Sequence, residues 1–158
     1  MKYLAIDYGK ARTGLAVSDP GETCCFPKKT LVMQGKEKFF TELLQFIQDE
    51  SVEGIVVGLP LTNKGEDTET TRMVRNMTSR LRHHCDLPLF YMEEYLSSTE
   101  AEKRLKSMGK RGKEITQLVD QFAAVIILES FLNLSAPQRQ SLAYPSPLTP
   151  DNSIPERP

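Results

Sequence analysis

The run G-I-V-V-G-L, Gly54 to Leu59, is stopped by Pro60 and carries no polar residue. A strand exposed on one face alternates apolar and polar positions. An unbroken apolar strand is buried on both faces, and such strands belong to sheets covered by helices on each side. The segments around it agree. Lys2 to Ile6 is a short apolar run ending in the turn Asp7-Tyr8-Gly9, and Gly14 to Val17 reads as a second strand closed by Asp19, Pro20 and Gly21. Thr30 to Met33 reads as a third strand, and the short connections favour antiparallel hairpins. From Glu37 to Glu50, Phe39, Phe40, Leu43, Leu44 and Ile47 recur at helical spacing.

After Leu61 to Asp67, a polar loop containing Gly65, the stretch Glu66 to His84 reads as a helix with Val74, Met77 and Leu81 inward. Its acidic start and basic end suit the helix dipole. Leu87 to Met92 is the next strand. Ser97 and Glu100 form a capping box opening a helix to about Met108. Gly109 to Lys113 is a basic break. Glu114 to Leu132 is the last helix, with Ile115, Leu118, Val119, Phe122 and Ile126 on its core stripe. The predicted order β-β-β-α-β-α-β-α-α describes an α/β fold with a five-stranded mixed sheet: three antiparallel strands, then parallel βα units, flanked by helices. One domain is expected over residues 1–134. Six of the ten prolines fall between Ala136 and Pro158, so 135–158 is expected to be a disordered tail.

The net charge of −1 announces no global basic field, so any nucleic-acid contact must come from a local patch. No apolar run approaches the ~20 residues that span a bilayer, and no signal peptide is evident. Cys24, Cys25 and Cys85 read as reduced thiols, which suits a cytoplasmic protein.

Acidic residues fall where sites gather in such sheets, at carboxyl ends of strands. Asp7 ends the first strand and Glu93 and Glu94 follow the last. Asp120 lies on the final helix, off its apolar stripe and close to the small residues Ala123 and Ala124. A cluster of carboxylates repels itself unless a cation neutralises it, and oxygen-only ligands favour Mg²⁺ or Mn²⁺. One or two such ions can hold a phosphodiester and activate water. The same acidic positions also suit solvated carboxylates and helix caps, so spacing alone leaves both readings open. The cations Lys103, Arg104, Lys106, Lys110, Arg111 and Lys113 suit either a phosphate backbone or a solvated helix end. Lys10 and Arg12 flank the turn beside Asp7 and suit a scissile phosphate or plain surface charge. Asp19 reads as a turn former, Ser97 and Ser98 as caps, and His83 and His84 as exposed helix-end residues.

The stretch A-I-D-Y-G-K-A-R-T-G-L-A-V-S-D-P, Ala5 to Pro20, resembles the opening motif of the YqgF/RuvX family. V-V-G-L-P-L at Val56 to Leu61, the acidic pair of E-E-Y-L-S-S-T-E at Glu93 to Glu100, and D-Q-F-A-A at Asp120 to Ala124 match its further motifs in order. The resemblance covers about Lys2 to Leu132. It implies an RNase H-like fold and a metal-dependent nuclease that trims the 5′ end of pre-16S ribosomal RNA, with a pre-ribosomal particle as a possible partner. Holliday junction resolution, by a homodimer able to cut two strands, is the alternative, and a non-catalytic binding module linked to transcription is another. By position the metal ligands would be Asp7, Glu94 and Asp120, with Glu94 preferred over Glu93. Two positions depart from the pattern: Tyr95 stands for the usual Arg and Ala11 for the usual Lys, and both changes weaken the expected phosphate grip. D-x-G-x-x-x-x-G at Asp7 to Gly14 also suits an actin-like phosphotransferase, for which 158 residues is short of two lobes.

Overall fold

A computed structural model describes residues 1–61, 64, 66–94 and 97–144, with the side chains of Glu94, Ser97 and Ser98 outside that description. The expected loop residue Gly65, the departure at Tyr95 and residues 145–158 of the expected tail therefore lie outside the described residues. Five strands and five helices are described: β1 (Tyr3–Asp7), β2 (Arg12–Ser18), β3 (Cys25–Val32), α1 (Lys36–Asp49), β4 (Gly54–Pro60), α2 (Glu69–Arg82), β5 (Leu89–Glu94), α3 (Ser97–Ser107), α4 (Lys113–Leu132) and α5 (Ala136–Gln140). The sheet order is β3-β2-β1-β4-β5. β1 is antiparallel to β2 and parallel to β4, and β4 is parallel to β5, as the predicted order requires.

Alternation along the strands sorts residues into two cores. Leu4 and Ile6 of β1 join Ile55, Val57 and Leu59 of β4 under α1 and α2. Tyr3 and Ala5 join Ala16, Val56 and Phe90 under α4, against Ala124, Ile127, Leu128 and Phe131. β4 is thus buried on both faces, the property read from its unbroken apolar run.

α4 lies very close to the sheet. A Cβ built on Gly14 of β2 would stand 2.0 Å from the carbonyl oxygen of Asp120, so only glycine fits there. The small side chains Ala5 and Ala16 sit on the same face and permit the same approach. Gln121 donates from Nε2 to Thr30 Oγ1 at 3.0 Å, tying this turn of the helix to β3.

Several boundaries differ from expectation for identifiable reasons. β3 begins at Cys25, well before Thr30, because Pro27 and an exposed Lys pair are tolerated on an edge strand. The β2–β3 register passes from Leu15↔Lys29 to Ala16↔Pro27, leaving Lys28 as a bulge. β5 runs on to Glu94, so both glutamates of the acidic pair lie within the strand. α2 starts at Glu69, not Glu66, because Thr68 caps it: Thr68 Oγ1 accepts from Thr71 N, and Thr71 Oγ1 accepts from Thr68 N. In α4 the expected stripe is shifted. Ile115, Leu118, Val119 and Phe122 are half-buried, whereas Ala123 to Leu128 and Phe131 are buried, because this half is enclosed by sheet and α3. By length and composition alone α4, 20 residues long, is apolar enough to cross a membrane, but charged residues interrupt it and its apolar surface packs on the sheet as a core helix does.

The expected disordered tail is also corrected in its first part. α5 follows a capping box at Ser135, and the chain then pairs with the outer edge of β5. Tyr91 N donates to Leu142 O at 3.0 Å and Tyr144 N to Leu89 O at 2.8 Å. Arg139 anchors the segment: its guanidinium donates to Glu22 Oε1 at 2.6 Å and Leu132 O at 2.8 Å, and lies over the rings of Tyr3 and Phe131. Proline-rich composition conceals this docking, because one arginine and a few backbone bonds supply it.

Two outcomes follow. Gly14→Ala forces helix and strand apart and lowers stability by at least about 1–3 kcal/mol in urea unfolding, whereas an unchanged midpoint contradicts the close contact. Arg139→Ala loosens α5, costing about 1–3 kcal/mol, and raises hydrogen exchange at the amides of Tyr91 and Tyr144 more than at β1.

Candidate active site

Asp7 is the last residue of β1, continues the face of Tyr3 and Ala5, and pairs across the ladder with Gly14. Gly14 in turn carries the backbone of Asp120 against it. The strand end and the helix turn therefore meet across one glycine, which brings Asp7 and Asp120 to the same place. Arg12, two residues before Gly14, donates from Nε to Asp120 Oδ2 at 2.8 Å. The Asp120 side chain is 19% exposed and that of Arg12 44%. A half-buried carboxylate is thus matched by a cation that solvent still reaches.

The register of β5 separates its two glutamates. Phe90 and Met92 pack with the α4 core, whereas Leu89 and Tyr91 pack with the α1/α2 core. Period two then puts position 94 on the face of Asp7 and Asp120 and position 93 on the other. Glu93 is exposed. Ile6 is level with Val57, and Val57 with Tyr91, so Asp7 is level with Met92. Position 94 lies two residues further along, about 7 Å. Among the described residues no three His, Cys, Asp or Glu side chains group closely enough to hold an ion, the Glu94 side chain being outside that set. The donors at hand are all oxygens, the chemistry that suits Mg²⁺ or Mn²⁺.

The turn between β1 and β2 supplies Lys10, exposed and 3.9 Å from Glu69. Beside it Tyr8 packs edge-on against Phe39. Burial pushes its phenol up, and the charge of Arg80 partly opposes this, so Tyr8 stays protonated at neutral pH. Asp19 forms its turn as expected, accepting from the backbone of Thr23 and Cys24 and from Thr23 Oγ1. Those bonds, that from Cys24 foremost, hold its carboxyl down to about 2.

The basic stretch after α3 divides. Lys103, Lys106, Arg111 and Lys113 are exposed and make no ion pair among the described residues. Arg104 reaches Glu129 at 2.8 Å and Glu100 at 3.6 Å, bracing α3 against α4, and Lys110 pairs with Glu114 at 3.5 Å. Gly14, Thr30 and Gln121 enter the sequence reading only as members of a motif or a strand, not as positioning residues. Their roles depend on where α4 crosses β2, and the only sequence signal is a glycine inside an apolar strand.

Comparison with known proteins bears on this arrangement. The family described as "RuvX: Holliday junction resolvase" matches residues 1–134. A protein of Nitratidesulfovibrio vulgaris (strain DSM 19637 / Miyazaki F), named "Putative pre-16S rRNA nuclease", is 52% identical over 88% of this chain and 98% of its own length. One of the same name from Lawsonia intracellularis is 47% identical over 88% of this chain and 98% of its own. Among solved structures, Thermus thermophilus RuvC in complex with a Holliday junction substrate superposes with a TM-score of 0.52 at 13% identity, over 84% of this chain and 97% of that one. That likeness establishes the RNase H-like fold. With the family match and relatives of near-equal length, the chain belongs to the RuvX (YqgF) family.

Proposed function

We propose that this chain is a divalent-metal-dependent nuclease that hydrolyses phosphodiester bonds and matures the 5′ end of pre-16S ribosomal RNA in the cytoplasm, on or near a pre-ribosomal particle. The observation that carries the reading is the meeting of Asp7 and Asp120 across Gly14, on the sheet face and at the sheet end to which position 94 belongs. Asp7, Glu94 and Asp120 would hold one or two Mg²⁺ or Mn²⁺ ions. When bound, such ions supply a water acidified enough to attack phosphorus and neutralise charge on the phosphate. Lys10 and Arg12 leave the turn after Asp7, and an arriving phosphodiester would offer Arg12 a second anion beside Asp120. Tyr8 serves as packing and not as a base. The exposed Lys103, Lys106, Arg111 and Lys113 would track the backbone, with Arg104 and Lys110 in bracing roles.

The description of the matched family and the RuvC-like fold favour one alternative, cleavage of DNA junctions by a homodimer. A substrate panel separates the two: pre-16S RNA ends, single-stranded RNA and a four-way DNA junction, each with Mg²⁺, Mn²⁺ or EDTA. The RNA end is expected to be cut best, and EDTA is expected to abolish cutting. The Asp7→Asn, Asp120→Asn double variant, folded by circular dichroism, is expected to lose about a hundredfold or more of that activity. Full metal-dependent cleavage by that variant contradicts the proposal, and cutting of the junction alone transfers it to the resolvase reading.

A further inference from the structure

The solvent face of α2 has a chemistry that the candidate site does not use. The whole chain has a net charge of −1, yet α2 and the two residues after it carry Arg72, Arg75, Arg80, Arg82, His83 and His84 against a single acid, Glu69. At about 100° per residue, Arg72, Asn76 and His83 fall within about 40° of one another. They lie opposite the buried Val74, Met77, Thr78 and Leu81, and all three are exposed.

The flanks of this face are held on aromatic rings. On the side toward α1, the Arg80 guanidinium carbon lies 5.5 Å from the Phe40 centroid and the His84 ring lies 6.1 Å from it. On the side toward β5, Arg75 lies 5.7 Å over Tyr91 and Arg82 5.7 Å over Tyr144. Arg75 also reaches Asp67 at 3.2 Å, and Arg82 donates to the carbonyls of Cys85 and Leu87. Guanidinium planes fixed in this way lose less rotamer freedom when they meet an anion.

The helix dipole does not account for the pattern. Basic residues are favoured in a last turn, but Arg72 and Arg75 stand in the first half of the helix. The face also begins at the same end of the sheet as the candidate site, on the opposite side of the sheet. Lys10, in the turn after Asp7, approaches Glu69 in the first turn of α2, and the charge of Arg80 is felt at Tyr8. From there α2 extends about 21 Å, the rise of about six phosphates along one strand of a duplex.

We propose that the outer face of α2, with Arg72 and Arg80 as cations that make no ion pair among the described residues and Lys10 at its head, is a second nucleic-acid contact surface that holds the phosphate backbone of the substrate beyond the cleavage site. This rests on the nuclease reading above. It adds a face on the far side of the sheet from α4 and its basic stretch.

The test is the salt dependence of binding to a labelled RNA hairpin with a single-stranded 5′ extension, measured by fluorescence anisotropy in Mg²⁺. All proteins carry Asp7→Asn so that the strand is not cut. Adding Arg72→Gln and Arg80→Gln is expected to flatten the slope of log K against log salt by about 1.4–1.8, at about 0.7–0.9 per phosphate contact. A control with the same loss of charge on the opposite edge strand, Lys28→Gln with Lys29→Gln, is expected to leave the slope in place. In a separate cleavage assay with Asp7 intact, Arg72→Gln with Arg80→Gln should raise KM and leave kcat unchanged. A parent that binds with the same slope before and after the α2 substitutions overturns this proposal alone. A parent that binds no RNA overturns the nuclease reading along with it.

Discussion

The backbone of α4 meets β2 at Gly14 with no side chain between them, and the rest of the molecule is arranged around that contact. A helix usually stands off a sheet by the length of the side chains packed between. Here Gly14, Ala5 and Ala16 remove that spacer over β1 and β2, so α4 settles onto the strand that pairs with Asp7. The larger Phe90, Tyr3 and Phe131 fill the space further along. The helix is thus held low where the acidic residues lie and high where the aromatic core lies. This docking, and not any local motif, carries Asp120 from a distant part of the chain to the end of β1.

Bringing two carboxylates together in a half-buried place is electrostatically unfavourable, and the structure answers it locally. Arg12 leaves the same turn as Asp7 and donates to Asp120. The partner is solvent-accessible, so the ion pair can exchange for other charges without dismantling the core. Fixed carboxylates beside an exchangeable cation suit a site that must accept both metal ions and a polyanion. The supporting bonds on the helix side, from Gln121 to Thr30, are neutral and do not compete for that charge.

Much of the architecture is legible in the amino-acid order because it rests on periodicity. The apolar run of β4, the helical stripe of α1 and the hairpin turns lead directly to a mixed sheet of antiparallel and parallel strands flanked by helices. β3 is harder to read because Pro27 and the paired lysines resemble a loop, and only the edge position of the strand makes them acceptable. α5 is concealed by composition, since its docking depends on Arg139 finding Glu22 at the far end of the chain. At the site, motifs name Asp7, Glu94 and Asp120 by resemblance. They say nothing of how Gly14 joins two of them, or of Arg104 being committed to Glu129 and Glu100. Such facts belong to the crossing of elements, which no local pattern encodes.

The two glutamates of β5 offer the most direct test, because they are chain neighbours at alternate positions of one strand. Mn²⁺ binding, followed by electron paramagnetic resonance or calorimetry, would be compared in the unaltered chain, Glu94→Gln and Glu93→Gln. The account predicts that the unaltered chain binds Mn²⁺, that Glu94→Gln weakens binding by at least about tenfold, and that Glu93→Gln binds like the unaltered chain. Loss on Glu93→Gln with retention on Glu94→Gln would contradict it, because the ion would then lie on the face away from Asp7 and Asp120.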